Sequence, residues 1–80
     1  MDKSELVEKL TITFRTVFKL DSLVLYPELT ANDVEAWDSL SHMLLITEIE
    51  NAFSIKFKLK DLNKMQNIGN MIEIINSKFQ

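Results

Sequence analysis

The sequence predicts an all-α fold: a small four-helix bundle with three longer helices, one short third helix and a long first loop. Three observations carry that expectation. Apolar residues recur at three- and four-residue spacing in three separate stretches. The 80 residues include one Gly and one Pro, too few for the many tight turns of a β-sandwich or barrel. The alternating run Ser54-Ile55-Lys56-Phe57-Lys58-Leu59-Lys60 has no second run to pair with, and a lone strand cannot satisfy its backbone.

The first helix is expected over residues 3–19, where Leu6, Leu10, Phe14, Val17 and Phe18 share a face with Val7 beside them. Asp2 followed by Glu5 has the spacing of a capping box. Residues 20–37 lose the period, and Pro27, Thr30, Asn32 and Asp33 mark a long connection with room for a helical turn near Asp33-Val34-Glu35. A loop of that length in a small domain needs anchors. Leu23, Leu25, Tyr26, Leu29, Val34 and Trp37 can serve.

The period resumes over residues 39–53, with Asp38 as N-cap and Leu45, Ile46, Ile49 and Phe53 on the inward stripe. Leu40, Met43, Leu44 and Thr47 lie to one side, so part of this apolar surface should stay exposed as a partner face. An extended segment and a short helix near Leu59–Lys64 follow. Asn67 then caps a last helix whose Ile68, Met71, Ile72, Ile75 and Phe79 face inward. Antiparallel packing of the first, second and last helices would bury their stripes together.

Eighty residues suit a single domain, 1–80. The absence of Cys removes disulfides, thiolate metal sites and thiol nucleophiles, and a reducing cytoplasm is the expected home. The charged start, MDKSELVEKL, has no apolar signal core, and no run reaches membrane-spanning length. The Met1 start suits a free-standing protein. The net charge of −3 is unevenly spread: residues 1–40 hold eight acids and four bases, residues 41–80 four acids and five bases. Between Lys19 and Lys56 there is no Lys or Arg, which suits docking to basic proteins and leaves no footprint for nucleic acid.

Asp-Ser-Leu occurs twice, at residues 21–23 and 38–40. Ser22 enters a loop. Ser39 opens a helix, where unpaired N–H groups favour an anion by roughly 0.3–1 kcal/mol at an exposed site. A phosphate ester therefore suits Ser39 and not Ser22.

Trp37-Asp38-Ser39-Leu40 at the helix start, Ile49-Glu50 and Phe53-Ser54-Ile55 at its end, and Asn67-Ile68-Gly69-Asn70-Met71 opening the last helix resemble the acyl and peptidyl carrier proteins. The resemblance covers nearly the whole chain. It implies that Ser39 receives a 4′-phosphopantetheine arm from coenzyme A, attached by a phosphopantetheinyl transferase. The arm's thiol would carry acyl or aminoacyl groups as thioesters from a loading ligase or transferase to downstream synthase enzymes. Asp38 and Glu48 would steer partners while Leu40 and Met43 make apolar contact. A monomer with no catalytic residue, no metal and no membrane insertion is the expected form. Ser41, His42 and Leu44 stand where familiar fatty-acid carriers often place acids, and the third-helix region is rich in lysine. These departures lean toward a specialised biosynthesis.

Competing readings are weaker. An unmodified helical interaction module would use the Leu40/Met43/Leu44 face and leave Ser39 bare. A hydrolase built on Ser39, His42 and Asp38 lacks a second element to orient the imidazole or form an oxyanion hole, and His42 is expected at the surface. Asp61-Leu62-Asn63 begins like a calcium loop, but Met65 and Gln66 stand where an oxygen ligand and a glycine belong. Lys56, Lys58, Lys60 and Lys64 read as a solvated edge.

Overall fold

A computed structural model of the chain describes residues 2–79 and places four α-helices among them: α1 (Lys3–Phe18), α2 (Ser39–Phe53), α3 (Leu59–Asn63) and α4 (Ile68–Ser77). A 3₁₀ turn, Ala31–Asp33, interrupts the first connection slightly ahead of the expected position. None of these helices is long and apolar enough to cross a membrane.

Of the expected stripe of α1, Leu6, Leu10 and Phe14 are fully removed from solvent and Phe18 is buried, while Val7 and Val17 are partly buried against the core. Asp2 caps the helix by accepting from Ser4 N–H at 3.1 Å, a local cap in place of the Asp2–Glu5 box. The helix ends at Lys19, which sits in the left-handed region (φ 56°, ψ 40°) and donates its N–H to Arg15 O. Helix α2 ends the same way at Ser54 (φ 55°, ψ 47°), whose N–H reaches Glu50 O.

Helix α1 is the shared partner, packing against both α2 and α4. One apolar cluster joins its stripe to Leu45, Ile49 and Phe53 of α2 and Ile68, Met71, Ile72 and Ile75 of α4. The long connection completes the core with Leu29, Val34 and Trp37, while Leu23 and Leu25 pack against its edge. Tyr26 departs from the expected anchoring and is 47% exposed. The adjacent backbone does that work instead. Pro27 O accepts from Gly69 N–H at 2.9 Å and Leu29 O from Ile68 N–H at 3.0 Å, so the loop fills part of the open N-terminus of α4. A Cβ on Gly69 would lie 3.3 Å from Asn67 Oδ1 and 3.4 Å from Pro27 O, so the loop approaches the head of α4 closely at the chain's single glycine. Phe79 is a second departure. It lies beyond the end of α4, 38% exposed, with its ring centroid 6.3 Å from that of Phe53.

Helix α3 buries none of its residues. Polar bonds hold its segment: Glu50 Oε2 accepts from Phe57 N–H at 2.8 Å, and Asp61 Oδ2 pairs with Lys78 Nζ at 2.7 Å. Asp61, the would-be calcium ligand, is thus committed to α4's end, and no acidic or histidine cluster among the described residues could hold a metal ion.

Candidate functional site

Asp38 and Ser39 open α2, as its helical period and capping residue require. Asp38 has extended backbone (φ −114°, ψ −170°), and its Oδ1 accepts from Ser41 N–H at 2.9 Å. Ser41 answers from the other side, its Oγ accepting Asp38 N–H at 2.8 Å. The pair forms a capping box with serine in the return position. The Ser41 hydroxyl also donates to Ala36 O at 2.8 Å, pinning the residue that enters the turn. Hydrogen bonds from Ser41, the backbone N–H foremost, hold the Asp38 carboxyl below its ordinary value of 3.8.

Ser39 is the first residue of α2 and its side chain is exposed to solvent. It borders a cleft of about 500 Å³ lined by Ala31, Trp37, Asp38, His42 and Met43. Trp37 forms the floor. It is buried on Phe14, edge-on at 5.2 Å between ring centroids, and on Phe18 at 5.9 Å. Its indole N–H donates to His42 Nδ1 at 3.0 Å, with the two rings nearly parallel at 19°. His42 is therefore no free surface group: half-buried, it closes one wall, and burial lowers its pKa from the ordinary 6.5. A ring nitrogen that accepts from Trp37 is also unavailable to Asp38, whose carboxylate is turned to Ser41. No Ser-His-Asp triad is assembled.

The remaining sequence-selected residues divide between two surfaces. Leu40 is 84% exposed, Met43 57% and Leu44 52%, forming an apolar strip that starts beside Ser39. Glu48 instead lines a groove of about 300 Å³ between α1 and α2 with Ile12, Thr16 and Asn51, apart from the Ser39 cleft. Ser22 lies exposed in the turn after α1, which closes through Leu23 N–H to Leu20 O at 3.1 Å, and no helix begins there. The roles of Ser41 and Ala31 were not visible in the sequence reading, although Asp38-x-x-Ser41 carries the box spacing.

Among solved structures, the solution NMR structure of holo acyl carrier protein from Geobacter metallireducens is 46% identical to this chain, with a TM-score of 0.87. The match covers 91% of this chain and 84% of that one. The chain belongs to the acyl carrier protein family. No protein-family model matches it, and neither does any curated protein. The acyl carrier protein fold accounts for the architecture above, and the role is that of a carrier and not of an enzyme. In this carrier the hydroxyl of residue 39 stands at an exposed helix start. It sits at the positive end of a 15-residue helix, and among the described residues Asp38 is the one carboxylate lining the cleft beside it.

Proposed function

We propose that Ser39 is the attachment point of a 4′-phosphopantetheine group and that residues 1–80 act as a single acyl-carrier-like domain. The supporting observation is an exposed hydroxyl at the first position of α2 in a chain that shares its fold with a holo acyl carrier protein. When bound, the group supplies the thiol that holds acyl or aminoacyl loads as thioesters, for which the Cys-free chain has no side chain of its own. The chain contributes the acceptor. Ser39 Oγ gives its proton to a base of the phosphopantetheinyl transferase and bonds the phosphorus that bears the pantetheine. The bridging P–O bond of coenzyme A breaks, and adenosine 3′,5′-bisphosphate leaves.

Leu40 and Met43, beside Ser39, supply the apolar contact for the transferase, for acyl- or aminoacyl-loading enzymes and for downstream synthases. Asp38 borders that contact with negative charge, and Glu48 adds charge farther along α2, on the groove it shares with α1. From Ser39 through Thr47, α2 carries no acidic side chain, so its docking is more apolar than that of a strongly acidic helix. That character favours the enzymes of a specialised biosynthesis. A cytoplasmic monomer is the working form. Incubation with a promiscuous phosphopantetheinyl transferase and coenzyme A should raise the intact mass by one phosphopantetheine in the wild type and in Ser22→Ala, and leave Ser39→Ala unchanged. A modified Ser39→Ala protein would overturn the assignment. An unmodified wild type would favour the bare interaction module.

A further inference from the structure

The turn that carries Ser39 is stitched down from within α2. Ser41 Oγ holds Ala36 O and Asp38 N–H, and the His42 ring holds the Trp37 indole. Residues 36, 37 and 38 are each tied by a side chain of the opening turns of the helix. The hydroxyl bonds are indifferent to pH near neutrality. The Trp37–His42 bond is not. Nδ1 accepts from an indole N–H only with its lone pair free, so the neutral ring carries its proton on Nε2. A second proton on Nδ1 would set one N–H against another and end the bond.

We propose that His42 is a positioning residue for the modification of Ser39: through Trp37 its neutral ring holds the Trp37-Asp38-Ser39 turn in the form a phosphopantetheinyl transferase accepts, and a proton on Nδ1 releases it. The inference rests on the reading of Ser39 as the attachment point. Trp37 is two residues from Ser39 and lines the same cleft, so its release alters both the floor and the entry to the modified residue. Asp38 is the charged group lining that cleft with His42. Its carboxylate is bonded by Ser41 N–H and faces water, which screens its pull on an imidazolium. Ala31 from the 3₁₀ turn, Trp37 from the connection and Met43 from α2 bring no charge, and α1 sets the uncharged rings of Phe14 and Phe18 against Trp37.

The chain has one Trp and one His, so each can be followed without ambiguity. On the unmodified protein, Trp37 emission and the His42 ring-proton shift, titrated from pH 8 to pH 5, should share one midpoint. In His42→Asn, whose amide oxygen can take the place of Nδ1 without titrating, emission should stay flat. The second measurement is kcat/KM for transferase modification with coenzyme A, read by intact mass, as the ratio of wild type to His42→Asn at each pH. The ratio cancels the transferase's own pH dependence. It should fall about five-fold as pH drops through the His42 midpoint, the factor carried by one neutral hydrogen bond. His42→Phe keeps a stacking ring without an acceptor and should be low by a similar factor at every pH. Emission that ignores the His42 titration, or a ratio constant with pH, overturns the proposal. Should His42→Phe lose its helical circular dichroism, the wild-type to His42→Asn ratio decides alone. Modification of Ser39→Ala would remove the attachment reading, whereas the shared Trp37–His42 titration is measured without any modification and is judged separately.

Discussion

Removing the Ser41 hydroxyl tests how the start of α2 is built. In Ser41→Ala, Asp38 N–H loses its acceptor and Ala36 O its donor, both at 2.8 Å, while the Asp38 carboxylate keeps the Ser41 backbone N–H at 2.9 Å. A net hydrogen bond contributes about 0.5–1.5 kcal/mol, and these two lie where water can partly replace the lost partner, so the low end applies to each. Alanine returns about 0.5 kcal/mol through its better helix propensity. The balance is a loss of about 0.5 kcal/mol, or a melting temperature lower by about 2–4 °C for a domain of this size. Thermal unfolding followed by circular dichroism at pH 7 measures it, with Ser41→Thr as the control that keeps a hydroxyl. The turn before Ser39 should loosen as well, so backbone amides of residues 36–39 should exchange faster in Ser41→Ala than global destabilisation explains. An unchanged melting temperature with unchanged exchange there would show that the box is ornamental and that the argument from its bonds is wrong.

Other expectations follow from the same contacts. Leu10→Ala removes a fully buried side chain where α1 meets its neighbours and should cost about 2–5 kcal/mol in urea unfolding. Ser54→Gly relieves a left-handed residue at the end of α2 and should raise stability by about 0.5 kcal/mol after glycine's entropy cost, seen as a higher urea midpoint. Lys78→Met breaks the pair with Asp61, whose side chains are 22% and 13% exposed, and should speed amide exchange in residues 57–64 far more than in α1. Stability should fall with acid in two stages. His42, Asp38 and Asp61 all have folded pKa values below their ordinary ones, so the unfolded chain binds more protons as pH drops. The His42 share is complete above 6.5 and is lost below it, and the carboxylate share is lost below 3.8. Urea midpoints at pH 7.5, 5.5 and 3 should decline in that order, and His42→Asn should remove the first decline.

Most of the helical frame was legible because burial of a helix face imposes a period, and Leu6, Leu10, Phe14 and Leu45, Ile49, Phe53 keep it without a break. Asp38 and Asn67 were legible because a cap needs a short polar side chain just before such a run. Tyr26 and Phe79 were misjudged for a shared reason. Each is a large residue outside a helix, where no period says which way it points; in the loop, the Pro27 and Leu29 carbonyls do the anchoring. The Trp37–His42 bond was hidden for a different reason. It joins a loop residue to a helical one five positions later, a spacing that neither helix nor turn rules single out, and only the depth of Trp37 among Phe14 and Phe18 brings the rings together.

The stitching of residues 27–29 to the head of α4 has a bearing on how the protein is born. Helix α4 follows α1 and α2 in the chain, so the connection has nothing to fasten to while those two helices are already outside the tunnel. A nascent or prematurely terminated chain ending before Ile68 would expose its serine on an unsettled scaffold. Under the proposed attachment at Ser39, modification would then wait for the synthesis of α4.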